Sequence, residues 1–335
     1  MCYVNMNALK KYSAYLMVKK GGGFNVSEAE KLQNPGPLNF NDSYYFTGHD
    51  SRGSALVTRI GFRGNGSTEL WFDMLLPETG PISLPRGNHP RGEGISCGPV
   101  KYSCIDPGAV WEIVCTGPML VSGKENDIFL TARFFASTPV IDFKRHTDSM
   151  SLAKYLAGQK WSREWFNKLK DLSQVHYEQG GSLHGRIAVN GKDQVFELRA
   201  LRDHSFGIRD WNAMRRHAWI SVLFDDGRVL NISMVSYSFL PFMHSGYLAG
   251  NNYILPVTDA SDFSAIFSPP LQGKSSDLNF TVNGGLHARL IMSVENELVY
   301  TMGTSYIVHE GIADFTLGCV QGRGIYEYGF NRDSI

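Results

Sequence analysis

The chain has 335 residues, 32 Lys and Arg against 32 Asp and Glu, 43% hydrophobic residues and 35 glycines. A zero net charge on only 19% charged residues excludes the broad basic surface with which proteins hold nucleic acid by neutralising phosphates. No apolar run approaches the roughly 18 residues of a membrane span, and Met1 to Lys20 lacks an apolar block followed by a small-residue cleavage site, so the chain reads as soluble and cytoplasmic.

A length beyond about 250–300 residues, where single cores stop growing, argues for two domains. Abundant glycine with 12% aromatics leans toward strands, because glycine weakens helices and aromatics suit a pleated surface. Residues 1–40 are poorly patterned, with Gly21-Gly22-Gly23 and then Asn34-Pro35-Gly36-Pro37, and are expected to form a poorly ordered arm ending in a turn. Ser43–Gly48, Ser54–Arg63 and Thr68–Leu76 then alternate apolar and polar residues between Asp50-Ser51-Arg52-Gly53 and Gly64-Asn65-Gly66. That rhythm predicts an antiparallel meander. After a Gly/Pro-rich loop to about Gly98, strands resume at Ala109–Thr116, Ile128–Phe135 and Val140–Lys144.

Within Ser149–Leu172 the period changes. Trp161, Trp165, Phe166, Leu169 and Leu172 recur every three to four residues, Ser162 can cap the second half, and Gly158 marks an interruption. This stripe reads as a packing face on a helical connector. Strand signals return at Val175–Gly180, His184–Val189 and Gln194–Leu201, then at His217–Phe224 and Arg228–Ser236, with hairpin turns at Asn190-Gly191 and Asp225-Asp226-Gly227. They recur through Leu278–Val282, Leu286–Val294, Glu297–Gly303, Ser305–Glu310, Ala313–Leu317 and Gly322–Tyr328. The expected architecture is mainly β: a first antiparallel barrel over 41–148, a helical connector over 149–173 and a second barrel over 174–335. Closing a sheet removes its edges, and eight or more strands leave an interior able to hold an apolar ligand.

The densest polar cluster runs from Arg202 to Trp211 (RDHSFGIRDW). Buried charges need partners, which predicts internal pairs of Asp203 with Arg202 or Arg209. One reading makes the cluster a structural plug closing a barrel end, with Arg202, Gly207, Arg209 and Asp210 as its framework. In the other, Asp203 and His204 face a ligand cavity, where desolvation favours a protonated Asp able to donate a proton. Tyr177 and Glu178 (VHYEQGG), Phe206, Trp211, and His217 with Trp219, two apart on one strand face, are candidate pocket-lining residues. His176, His184, His204 and His217 lack metal-like spacing, so no metal is expected. The glycines match neither a phosphate loop nor a dinucleotide fingerprint, no Gly-x-Ser-x-Gly elbow occurs, and no cofactor is implied. The five cysteines (Cys2, Cys97, Cys104, Cys115, Cys319) read as reduced thiols, with Cys97–Cys104 as the alternative crosslink.

Asp203-His204-Ser205-Phe206-Gly207 resembles the Asp-His-x-aromatic-Gly motif of the double-lipocalin family containing AttH-like proteins and carotenoid 1,2-hydratases (hydroxyneurosporene synthases). RDHSFGIRDW and Tyr44–Gly80 more closely resemble an uncharacterised branch whose domains occur in animals beside phosphoenolpyruvate-utilising phosphotransferase modules. The resemblance implies tandem lipocalin-like barrels, with Asp203 as proton donor to a carbon–carbon double bond, His204 orienting it and aromatic groups stabilising the cation. Phe206 stands where Trp is usual, and Ser205 replaces a commoner Gln that could position water. Three functions follow as expectations: binding of an isoprenoid, sterol or other lipid; hydration, isomerisation or cyclisation of an alkene by Asp203; or a non-catalytic phosphotransferase-associated module. The chain's two ends fit either a complete small protein or a fragment.

Overall fold

The computed structural model describes residues 6–19, 23–33, 36–85, 87–172, 174–211, 213–260, 269–303 and 305–334. Cys2, Gly21-Gly22 and Asn34-Pro35 lie outside the described residues. The chain separates into two compact units, one of residues 24–141 with 174–209 and one of residues 1–23, 142–173 and 210–335.

In the first unit a short helix, α2 (Val26–Ala29), precedes β1 (Phe40–His49), β2 (Ala55–Arg63), β3 (Thr68–Leu76) and β4 (Gly80–Ser83). Then come β5 (Ile95–Cys97), β6 (Val100–Asp106), β7 (Val110–Val121), β8 (Lys124–Ala136) and the two-residue β9 (Ile141–Asp142), and after an excursion β10 (Gln174–Val189) and β11 (Lys192–Ile208). Turn chemistry fixes the hairpins. Asp50 Oδ1 accepts from the amides of Arg52 and Ser54, both at 2.8 Å, and Asn190-Gly191 has both φ angles positive, 50° and 78°, as a tight two-residue hairpin requires. The strands run β4-β3-β2-β1-β11-β10-β8-β7, and a β4–β7 pairing closes the ring. Alternate residues fill it, among them Phe46, Ile60, Phe72, Trp111, Leu130, Phe134, Leu183 and Leu198.

This order corrects the expected boundaries. Residues 174–208, read as the opening of the second barrel, complete the first one: β11 pairs with β1 from Phe40↔Ile208 to His49↔Arg199, and β10 with β8. Period-two alternation identifies a strand and its buried face but says nothing about which distant edge it will cover. The charged run Arg202 to Ile208 continues β11 as ladder.

The second unit holds a closed barrel of β12 (Met214–Phe224), β13 (Val229–Tyr237), β14 (Leu240–Gly250), β15 (Tyr253–Ala260), β16 (Ser275–Val282), β17 (Leu286–Met302), β18 (Tyr306–Leu317) and β19 (Val320–Asn331). Its interior is lined by Ala218, Ile220, Val222, Leu230, Ile232, Leu290, Met292 and Phe315, among others. Helices α1 (Met6–Lys19), α3 (Phe143–His146), α4 (Ser149–Gly158) and α5 (Arg163–Asp171) belong to this unit. The expected arm is therefore helical over Met6–Lys19; Ala14 is fully buried, and Lys10 Nζ donates to the Gln159 carbonyl at 2.6 Å. Tertiary packing rather than apolar period holds this helix. The connector is helical as read: Ser162 Oγ accepts from Trp165 N at 3.0 Å, and Trp165 Nε1 donates to the Phe239 carbonyl at 3.0 Å. The four cysteines among the described residues are free thiols. No helix of the described residues is long and apolar enough to cross a membrane.

Candidate functional site

The chemistry-bearing residues of the first unit lie where β11 runs between β1 and β10. Register places Tyr44, His204 and Tyr177 in one cross-strand row, and Tyr45, Asp203 and Glu178 in the next. Because successive strand residues point to opposite faces, Arg202, His204 and Phe206 share the inner face with Tyr44 and Phe46, whereas Asp203 and Ser205 share the outer face with Tyr45, His176 and Glu178. Gly207 adopts φ +129° within this strand, a conformation costly for any side chain.

The inner face carries a sealed polar network. His204, 0% exposed, donates from Nε2 to Asp42 Oδ1 at 2.7 Å and accepts at Nδ1 from the Tyr177 hydroxyl at 2.8 Å. The carboxylate, which can only accept, sets this tautomer. Tyr44 stacks on the imidazole at 3.9 Å between centroids and donates its hydroxyl to the Lys31 carbonyl at 3.0 Å, while Gln33 N donates to Asp42 Oδ2 at 2.9 Å. One step along the strand, Arg202 forms a buried pair with Glu30, with Nη1 at 3.2 Å from Oε2. Its Nε donates to Gln179 Oε1 at 2.9 Å, and its guanidinium sits 5.3 Å from the Tyr177 ring centre. Burial, reinforced by Asp42 for Tyr44 and by Glu30 for Tyr177, pushes both phenols above their ordinary range. Burial and then Glu30 push the Cys104 thiol up to about 11. These are groups held neutral or paired in a low-dielectric interior.

The outer face is different in that two of its polar side chains, His176 and Asp203, are partly exposed. His176 Nε2 hydrogen-bonds Asp203 Oδ2 and lies 3.5 Å from Glu178 Oε1. The side chain of His176 is 27% exposed and that of Asp203 14%, whereas Glu178 is 0% exposed. Burial alone would lower the His176 pKa, but the charge and hydrogen bond of Asp203, then those of Glu178, outweigh it and push it up to about 10. At neutral pH a proton is thus held between two carboxylates. The same three residues each offer one donor atom within 4.8 Å of the others, an imidazole and carboxylate set that could hold a divalent cation.

The predicted site residues separate accordingly. Asp203 does not pair with Arg202 or Arg209: Arg202 reaches Glu30 on the opposite face, and Arg209 donates to Gln174 Oε1 at 2.9 Å. His204 does not orient Asp203 either, since its two nitrogens serve Asp42 and Tyr177. Adjacent strand residues cannot share a face. Tyr177 and Phe206 join the inner cluster, Phe206 with its ring centroid 5.2 Å from that of His204. Trp211, His217 and Trp219 belong to the second unit. His217 and Trp219 do share a face, but the barrel is lined by their neighbours Ala218 and Ile220, so both point out of it. There His217 bonds Glu327 and the Tyr306 hydroxyl, the latter at 2.5 Å, and Trp211 packs on Tyr306 at 5.0 Å. Asp210 Oδ1 accepts from Ala213 N at 3.2 Å, a turn role. Sequence reasoning missed His176 as Asp203's partner, as well as Asp42, Glu30 and Tyr44. The first was within reach, because His176 and Glu178 stand two apart on a predicted strand and must share a face.

Two units built on strand rings, with titratable side chains set into one ring's wall, define a protein of the double-lipocalin architecture. The chain belongs to the family described as Domain of unknown function (DUF7064), whose model matches residues 27–332. No curated protein matches it in sequence. Among solved structures, an AttH-assigned protein of Nitrosomonas europaea is similar over 93% of this chain and 98% of its own, at 13% identity and a TM-score of 0.51. Kievitone hydratase of Nectria haematococca is similar over 92% of this chain and 96% of its own, at 12% identity and a TM-score of 0.51. The AttH and hydratase likeness expected from the motif is met at the level of the fold.

Proposed function

We propose that the chain binds an apolar, alkene-bearing small molecule and acts on it by acid catalysis, with the Asp203–His176 pair as proton donor. The observation that carries this reading is the partly exposed His176–Asp203 pair on the outer face, with Glu178 beside it. The His204–Asp42 pair is sealed and serves to position: it braces β1, β10 and β11 so that Asp203 and His176 meet. In the step proposed, the pair gives its proton to one alkene carbon and leaves a cation on the other. Tyr45, on the same face, supplies an aromatic ring for that cation. Water then adds and returns a proton to the pair, giving hydration; loss of a neighbouring proton instead gives isomerisation, and attack by a second double bond gives cyclisation. The fold shared with a hydratase supports this reading over passive carriage.

The test has two parts. Native mass spectrometry and organic extraction of the purified chain are expected to yield a co-purifying apolar compound. Incubation of that compound in isotopically labelled water is expected to place label in the product, and Asp203→Asn is expected to abolish labelling while keeping binding. Undiminished labelling in Asp203→Asn overturns the assignment.

A further inference from the structure

The outer face that carries Asp203 continues across β1 to β2 and β3, where register sets Arg59 opposite Tyr45 on one side and opposite Trp71 on the other. Arg59 is 3% exposed. Its Nη1 donates to Glu69 Oε2 at 3.0 Å, and its guanidinium stacks 4.8 Å from the Trp71 ring centre. Its Nη2 is buried with no hydrogen-bond partner among the described residues. The same Glu69 oxygen also receives Arg63 Nη2 at 2.5 Å, and Arg63 Nη1 donates to Asn41 Oδ1 at 2.6 Å. One carboxylate oxygen thus serves two guanidinium groups. Burial first, then the charge of Arg59, pulls Arg63 down to about 10, Glu69 offsetting only part of it and Arg209 adding to it.

Gly61 makes the arrangement possible. A Cβ there would stand 2.5 Å from Arg59 Nη2, so the missing side chain leaves the space into which the guanidinium folds. A buried cationic donor left open is costly, and a buried N–H on a stacked guanidinium is well suited to an incoming oxyanion. Asp203 and Arg59 flank Tyr45 on neighbouring strands, which sets them two strand spacings, about 10 Å, apart.

Building on the acid-catalysis reading above, we propose that Arg59 is a binding residue for an acidic oxygen of the substrate. The apolar molecule then carries a carboxylate, or an equivalent oxyanion, about 10 Å from the bond that the Asp203–His176 pair protonates. The pairing selects amphiphilic acids over neutral hydrocarbons of the same length.

The probe is cis-parinaric acid, a fluorescent polyene carboxylic acid, set against its methyl ester. Both are titrated into the full chain at pH 8. The wild-type chain is expected to bind the acid at least about tenfold more tightly than the ester, the range of a charge-assisted hydrogen bond in a dry site. Arg59→Gln is expected to bring the two within about twofold by weakening the acid alone, while Arg59→Lys keeps part of the preference. Gly61→Ala, which presses on the guanidinium without removing it, is expected to weaken the acid in the same sense. Equal wild-type affinities, no binding of the acid, or a preference surviving in Arg59→Gln would each overturn the proposal. The wild-type comparison decides the matter even where a variant does not fold. Isotope labelling with Asp203→Asn tests the proton donor and the acid-to-ester ratio tests this subsite, so either can fail alone.

Discussion

Replacing His176 with Gln removes the cation held between Asp203 and Glu178 and leaves two carboxylates facing each other, one of them fully buried. Breaking a buried pair by deleting one partner costs about 3–5 kcal/mol. The pH dependence discriminates more sharply than that figure. An unfolded histidine titrates near about 6.5, whereas in the fold His176 keeps its proton to about 10. A raised folded pKa gives stability that is fully present below the unfolded value and is lost as pH rises through the folded one. Between these limits the wild-type chain therefore loses about 1.4 kcal/mol per pH unit from this group, and His176→Gln does not. The gap between the two proteins is expected to be widest near pH 6.5 and to narrow steadily toward pH 9.5. The measurement is urea denaturation at fixed ionic strength, followed by hydrogen-exchange labelling of β10 and β11 peptides, so that this unit is read apart from the other. A gap that stays constant from pH 6.5 to 9.5 would refute the shared proton and with it the proton-donor role built on it.

Three further outcomes concern the inner network. Glu30→Ala leaves Arg202, 2% exposed, with Gln179 as its remaining partner and is expected to cost about 3–5 kcal/mol in thermal or chemical denaturation. Tyr177→Phe takes away the hydroxyl that donates to His204 Nδ1 and is expected to cost about 1–3 kcal/mol, the price of an unsatisfied buried acceptor. Combined with Asp42→Asn, its effect is expected to be non-additive in a double-mutant cycle, because both act through one imidazole.

The site was partly legible in the sequence. The motif drew attention to Asp203 and His204, and the pattern around Val175–Gly180 already put His176 and Glu178 on one face. The pairing of Asp203 with His176 was not legible, because it depends on β10 and β11 being neighbours in a particular register. Arg59 was hidden for the same reason: it stands 144 positions before Asp203 in the chain yet two strands away in the sheet. His204 shows the opposite failure. Sequence adjacency suggested that it assists Asp203, and the pleat turned it to the other face, toward Asp42 and Tyr177.

The sequence by itself determined the strand-rich class, most turns and the amphipathic connector, since these follow from period, glycine placement and capping residues within a few positions of one another. Asp50 and Asn190-Gly191 close their hairpins through bonds and dihedrals local to the turn, and Ser162 caps its helix three residues ahead. Tertiary structure alone decided which strands close which ring, and hence that residues 174–208 complete the first unit. It also decided which charges meet. Strand pairing satisfies backbone donors and acceptors that any strand offers equally, so the partner of an edge is chosen by the packing of the whole ring and not by the residues of that edge.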